Sequence, residues 1–157
     1  MAGRYAFSYA AASGSEIGPI VRTSNPGSAD FQRHGSPELS FAIAERVRRW
    51  GEGLVGECGL SSVGAVVGAT HAKELAAFRV CMPRTPFLLP GYGAQGATAR
   101  DLSGAFLGPR HGALVNSSRG ICFAYKEARF REVTWQEATR SATKSMIADL
   151  KSAEGGR

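Results

Sequence analysis

Apolar residues along this chain fall into two alternating kinds of run. The stretches Ile17-Gly-Pro-Ile-Val-Arg-Thr23, Ser62-Val-Gly-Ala-Val-Val-Gly68, Thr85-Pro-Phe-Leu-Leu-Pro90 and Gly112-Ala-Leu-Val115 are short and mostly apolar. All four read as short strands, and Ser62–Gly68 is near-continuous without alternation, as expected for a strand covered on both faces in a parallel sheet. Between them, apolar residues recur at helical spacing. Leu39, Ile43, Val47 and Trp50 mark one face of a helix that has Ser36 as N-cap and Pro37 at its first position and ends at Gly51. Thr70 caps a second helix, with Leu75, Phe78 and Met82 on its inner side before Pro83 stops it. A third starts at Thr98, with Asp101 three residues on and Leu102, Ala105 and Phe106 on one face. Thr134 and Glu137 make a capping box for the last, whose inner face is Ala138, Ala142, Met146 and Leu150.

Strand and helix thus alternate four times. Alternation of this kind demands parallel strands joined by right-handed crossovers, an α/β fold. Residues 28–35 and 51–61 read as the longer loops, and the tail from Ser152 as frayed. Residues 1–16 resemble the end of a helix that stops near Ser13-Gly14, as if its beginning were missing.

Composition narrows the class. The 157 residues suffice for one domain with a real core. Lysine plus arginine exceeds aspartate plus glutamate by 19 − 13 = +6, which favours an anionic ligand without naming it. Arg46, Arg48 and Arg49 are the densest basic group and read as the solvated side of a helix. Aromatic residues are spread through core positions and no recognition motif is present, so a nucleic-acid module is disfavoured. Cys58, Cys81 and Cys122 have no CxxC spacing and read as reduced thiols in or near the core. His34, His71 and His111 are scattered, and no metal is expected. No run approaches the ~20 apolar residues of a membrane helix, and the N-terminus does not look like a signal peptide. A reducing cytoplasm, with no membrane partner, is the default expectation.

The chemistry concentrates after the third and fourth strands. The third runs into Gly91-Tyr-Gly-Ala-Gln-Gly96 and the fourth into Asn116-Ser-Ser-Arg-Gly120. α/β sheets hold ligands at the ends where the chain leaves the strands. Glycines let backbone N–H groups approach a phosphate, the helix starting at Thr98 aims its dipole at the same point, and Arg119 offers a planar fork of donors. Gln95, at the loop tip, can donate to a phosphate oxygen and accept from a base. The glycine loop also satisfies GxGxxG, but a dinucleotide site needs an acidic residue about 20 positions on, and the next strand ends in Asn116-Ser-Ser118 instead.

Four segments, in order, resemble one family: Arg22-Thr-Ser-Asn-Pro-Gly27, Ser61-Ser-Val-Gly-Ala-Val-Val-Gly-Ala-Thr70, Pro86-Phe-Leu-Leu-Pro-Gly-Tyr-Gly-Ala-Gln-Gly96 and Ala113-Leu-Val-Asn-Ser-Ser-Arg-Gly-Ile121. They are similar to the C-terminal half of the longer-chain bacterial orotidine 5′-phosphate decarboxylases. The resemblance implies a (βα)4 half of a TIM (β/α)8 barrel, cofactor-free chemistry and a pyrimidine nucleotide 5′-monophosphate as ligand. By it, Gln95 bridges phosphate and pyrimidine, Arg119 grips the phosphate with Gly120 offering backbone, Ser24 contacts the pyrimidine, and Tyr92 and Gly93 lie in the closing loop that opens at Pro90. The family's catalytic lysine and aspartate array, including a D-x-K-x-x-D motif, belongs to the other half of the barrel and has no match here. Asp149-Leu-Lys-Ser-Ala-Glu154 is only superficially similar and reads as a solvated helix end. No catalytic residue is therefore assigned. The alternative is a non-catalytic half-barrel that binds phosphate or nucleotide. Either way, four βα units leave two sheet edges open and the interior face uncovered, since a closed barrel needs eight strands. The chain is expected to pair with a second half-barrel, a copy of itself or a separate N-terminal polypeptide.

Overall fold

A computed structural model describes residues 18–25, 27–70, 72–93, 96–107 and 111–154. The expectation for residues 1–16, and those for His71 and Gln95, lie outside the described residues. Four strands form one sheet: β1 (Ile20–Arg22), β2 (Ala65–Val67), β3 (Phe87–Pro90) and β4 (Ala113–Asn116). They are parallel and lie in sequence order, with β1 and β4 at the edges. The helices are α1 (Ala29–Gln32), α2 (Leu39–Gly51), α3 (Ala72–Cys81), α4 (Ala99–Leu102), α5 (Ser118–Cys122) and α6 (Trp135–Glu154), with short 3-10 turns at Ser103–Ala105, Ala124–Lys126 and Ala128–Phe130. The strand–helix alternation is as expected, but the strands are only three or four residues long, shorter than their apolar runs.

The core lies on one side of the sheet. Val21, Val67, Phe87 and Leu89 are buried there together with Val47 of α2, Leu75 and Phe78 of α3, and Met82. Phe41 stacks on Phe78 at 4.5 Å between ring centroids, locking α2 to α3. The other side is different. Ile20, Val66, Leu88 and Leu114 are in register as one row across all four strands. Ile20 is 58% exposed and Leu114 69%, while Val66 and Leu88 are half-buried. As expected for four βα units, only one face of the sheet has its cover among the described residues; the both-face cover expected for the Ser62–Gly68 run is corrected, since Val66 is only half-buried.

Local corrections have local causes. The first long helix begins at Leu39, not Pro37, because the Leu39 N–H donates to the His34 carbonyl at 2.8 Å and closes a turn that holds 35–38 out of helical geometry. The Ser36–Pro37 bond in that turn is cis. The buried stripe of α2 is Ser40, Ala44, Val47 and Gly51, with Leu39 exposed and Ile43 and Trp50 packed at its margin. Small residues win the centre because α2 lies close to the chain below. A Cβ on Gly51 would come 2.4 Å from Ser61 Oγ. Residues 28–35 are not simply a loop, since α1 is anchored there by Gln32, whose Oε1 accepts from the Thr23 N–H and from Arg22 Nη1, both at 3.0 Å. The last helix continues past Ser152 to Glu154. Cys58 and Cys122 are exposed and only Cys81 is half-buried, against the expectation of core thiols. Burial pushes the Cys81 thiol above its usual range.

Two buried arginines hold the scaffold. Arg22, 2% exposed, donates to Glu74 Oε2 on α3 at 2.7 Å and to Ser28 Oγ at 2.8 Å, fixing the loop after β1. Arg79, 7% exposed, has no carboxylate partner among the described residues and gives its donors to four carbonyls near the starts of β3 and β4. No described helix is long and apolar enough to cross a membrane.

Candidate functional site: the loops after β3 and β4

The chain leaves β3 through a loop whose shape depends on glycine. Gly91, Gly93 and Gly96 have φ of 110°, 70° and 93°, left-handed conformations that side chains resist. The Gly93 N–H donates to the Ala97 carbonyl at 2.9 Å and the Gly96 N–H to the Gly93 carbonyl at 2.8 Å. These two N–H groups are thus used inside the loop, and their glycines contribute shape and space rather than donors. Thr98 and Asp101 then form the expected capping box, with Thr98 N and Oγ1 donating to Asp101 Oδ2 at 2.8 and 2.7 Å. These bonds hold the Asp101 carboxyl below its usual range. The helix they start, α4, is a single turn. It carries too little aligned backbone for the expected dipole contribution.

The loop after β4 supplies the charge. Ser117, buried, donates from Oγ to the Tyr92 carbonyl at 3.2 Å and so ties the two loops together. Arg119 follows in the first turn of α5, where backbone N–H groups have no intrahelical acceptor. Its side chain is exposed and has no partner among the described residues. Gly120 is tightly placed, because a Cβ there would lie 2.7 Å from Ser117 Oγ. Tyr92, Gly93, Arg119 and Gly120 line one cleft of about 460 Å³ whose far wall includes Met146 and Asp149 of α6. A second guanidinium on the rim, Arg129, is already engaged by Glu127 at 2.7 Å. Among the described residues that line this cleft, Arg119 is therefore the cation available to an incoming anion.

Comparison with known proteins fits this corner and its scaffold. No family model matches the chain. A curated relative from Clostridium novyi (strain NT), named orotidine 5′-phosphate decarboxylase, is 41% identical over 134 residues, which cover 83% of this chain and 46% of the relative. One of the same name from Deinococcus radiodurans is 50% identical over 113 residues, covering 71% of this chain and 40% of its own length. The structure of Leishmania donovani OMP decarboxylase superposes with a TM-score of 0.67 at 29% identity, covering 90% of this chain and 49% of that one. The chain's relatives are orotidine 5′-phosphate decarboxylases. It spans about half the length of the curated relatives it matches. Four parallel strands with intervening helices are correspondingly half of the eight-stranded TIM barrel.

Of the six residues that the sequence suggested for a decarboxylase ligand site, the cleft brings four together: Tyr92, Gly93, Arg119 and Gly120. Ser24 lies at the same end of the sheet but follows β1, the opposite edge strand from β4, and does not line the cleft. Gly68 lets Ser24 sit close to the end of β2, since a Cβ there would meet the Ser24 nitrogen at 2.9 Å. Gln95 lies outside the described residues. Two contributors were missed from sequence. Ser117 could have been suspected from its place between β4 and Arg119. Asp149 is not a merely solvated helix end: its Oδ2 accepts from the Tyr92 hydroxyl at 2.5 Å. Burial first, and this bond second, push the Tyr92 hydroxyl up to about 12, so it is a donor at neutral pH. Among the described residues there is no cluster of histidine, cysteine and carboxylate able to hold a metal.

Proposed function

We propose that this chain is the phosphate-gripping half of an orotidine 5′-phosphate decarboxylase. In this reading Arg119 and the first turn of α5 take the 5′-phosphate of a pyrimidine nucleotide, with the Tyr92–Gly93 wall opposite. Gln95 reaches from the loop tip between phosphate and base, and Ser24 meets the pyrimidine from across the sheet. The observation that carries the proposal is an Arg119 exposed and without a partner among the described residues, in one cleft with Gly93 and Gly120, beyond the ends of two adjacent parallel strands. Conversion of orotidine 5′-phosphate to uridine 5′-phosphate and CO2 would then need the lysine and aspartate array of another half. The second reading, a nucleotide-binding half-barrel without catalysis, is favoured by the lack of a D-x-K-x-x-D motif in this sequence.

The in-register row of Ile20, Val66, Leu88 and Leu114 supports the accompanying proposal that a second half-barrel covers this face. The partner would be a copy of the chain or a complementary N-terminal half, adding strands beside β1 and β4.

Calorimetric titration of uridine 5′-phosphate and of uridine tests the phosphate grip. The nucleotide should bind and the nucleoside much more weakly. Arg119→Ala should lose ten- to a hundredfold, as expected for a charge-assisted contact of about 1.5–3 kcal/mol. Equal affinity of the parent and Arg119→Ala would remove the phosphate site. Loss of orotidine 5′-phosphate ultraviolet absorbance on adding this chain alone would overturn the view that the catalytic array lies elsewhere.

A further inference from the structure

Tyr92 is held at both ends. Its carbonyl accepts from Ser117 Oγ at the end of β4, and its hydroxyl donates to the Asp149 carboxylate on α6, 57 residues further along the chain. We propose that Asp149 is a positioning residue for the anion corner: through its 2.5 Å bond to the Tyr92 hydroxyl it holds Tyr92 and Gly93 as a wall of the cleft that also holds Arg119. The proposal rests on the reading of this cleft as the phosphate site.

The physical need for such a tether comes from the loop itself. Three left-handed glycines give it an unusually large set of conformations to lose on ordering. A loop that must be ordered by its ligand lowers the ligand's affinity, and one ordered beforehand does not. The backbone bonds of Gly93 and Gly96 run within the loop, whereas two side-chain bonds tie Tyr92 to other elements. Ser117 fixes the Tyr92 backbone, and Asp149 fixes the direction of the ring. The tyrosine is a partly buried lever between them, with its hydroxyl protonated across the neutral range. An O–H donating to a carboxylate is a short, charge-assisted bond, stronger than one between neutral groups. Asp149 lines the far wall of the same cleft, but its carboxylate offers an anion no donor, so its proposed action on the ligand runs through Tyr92.

The test is a set of uridine 5′-phosphate titrations by calorimetry, with the thermal midpoint of each variant measured alongside. Asp149→Ala and Tyr92→Phe should each weaken binding about five-fold, the order expected for one charge-assisted hydrogen bond. The double variant should be no weaker than either single one, because the same bond is removed twice. Asp149→Asn, whose amide oxygen still accepts, should recover part of the loss. A purely structural bond would lower the midpoint of Asp149→Ala and leave the affinity of the folded protein unchanged, and that result would overturn the proposal. Arg119→Ala is the reference. If it weakens binding while the Tyr92 and Asp149 variants do not, the positioning role fails and the phosphate site stands. If Arg119→Ala binds like the parent, both fail.

Discussion

Replacing Arg79 tests how the half-barrel is held together away from its ligand corner. Its Nε donates to the Ala105 carbonyl at 2.7 Å, Nη1 to Met82 and Thr85 at 3.0 and 2.7 Å, and Nη2 to Gly112 at 2.8 Å. The guanidinium carbon also lies 3.6 Å from the centre of the Phe87 ring. One side chain thus ties α3, the turn after α4 and the starts of β3 and β4. Burial draws the group down to about 10, which still leaves it charged at neutral pH. In Arg79→Met all four carbonyls lose a donor. Met82 and Gly112 keep a backbone N–H, from Thr85 at 3.3 Å and Phe87 at 2.9 Å, so the penalty falls mainly on Ala105 and Thr85. At about 1–3 kcal/mol for each unsatisfied buried group this gives about 2–6 kcal/mol. Relief from burying an unpaired charge offsets part of it, leaving about 2–4 kcal/mol. That is a large share of the 5–15 kcal/mol typical of a domain. Arg79→Lys should lose about half as much, since three ammonium hydrogens without a planar fork cannot meet four carbonyls. Urea unfolding at fixed protein concentration, read as a shift in midpoint at constant slope, measures both. A methionine variant within about 0.5 kcal/mol of the parent would refute the reasoning.

Gly68→Ala should displace the loop after β1, because the new methyl meets backbone, Ser24 N at 2.9 Å and Thr23 C at 3.0 Å, instead of a side chain that could swing away. A loss of about 1–3 kcal/mol in urea unfolding is expected, and an unchanged midpoint would show that the loop is not held there. Acid should destabilise the protein. Bonds from Arg48 and then Arg49 hold the Glu45 carboxyl down to about 2, and bonds from the Thr134 N–H and hydroxyl lower that of Glu137. A carboxyl with a depressed folded-state pKa contributes stability that is present above its ordinary value and lost as pH falls through the folded value. The thermal midpoint should therefore fall between pH 4.5 and about 2, and Glu137→Gln should flatten part of that slope. A flat profile over the same range would contradict it.

What could be read in the sequence was what depends on neighbours along the chain. The capping pairs Thr98 with Asp101 and Thr134 with Glu137 formed as their three-residue spacing dictates. The inner face Leu75, Phe78 and Met82 was legible from periodicity and is fully buried. That stripe also held an unused signal. Positions 75, 78, 79 and 82 follow the i, i+3, i+4, i+7 pattern of one helix face, so Arg79 sits on the apolar side and had to find internal acceptors. Arg22, in the middle of an apolar run, carried the same message. The Tyr92–Asp149 bond was not legible, because nothing local links residues 57 positions apart. The exposed row on the sheet follows from the count of four βα units, whereas the apolar run of β2 taken alone pointed to cover on both faces. Apolar character records that a face is buried in the working assembly, and not whether the covering atoms belong to the same stretch of chain.

The location of the corner bears on what a half-barrel can do alone. Tyr92, Gly93, Arg119 and Gly120 come from two adjacent strands joined by four register pairs, from Phe87↔Ala113 to Pro90↔Asn116. The loops that carry them follow these two strands, and the far wall of the cleft comes from α6 of the same chain. Ser24 stands three strand spacings from β4, about 14 Å along the sheet at about 4.8 Å per strand, so it can meet only the far end of a ligand held by Arg119. In the proposed site the phosphate end is thus complete within this chain, and the base end depends on how the sheet curves when its open face is covered. Interactions with the phosphate, remote from the reacting carbon, supply binding energy without chemistry of their own. The isolated chain should then bind inorganic phosphate and uridine 5′-phosphate with affinities that differ little, and discrimination between them should appear only when a second half-barrel covers the row from Ile20 to Leu114. Calorimetry on the monomer and on the assembled form would measure that difference directly. A monomer that already prefers the nucleotide strongly would place the base site within these four strands as well.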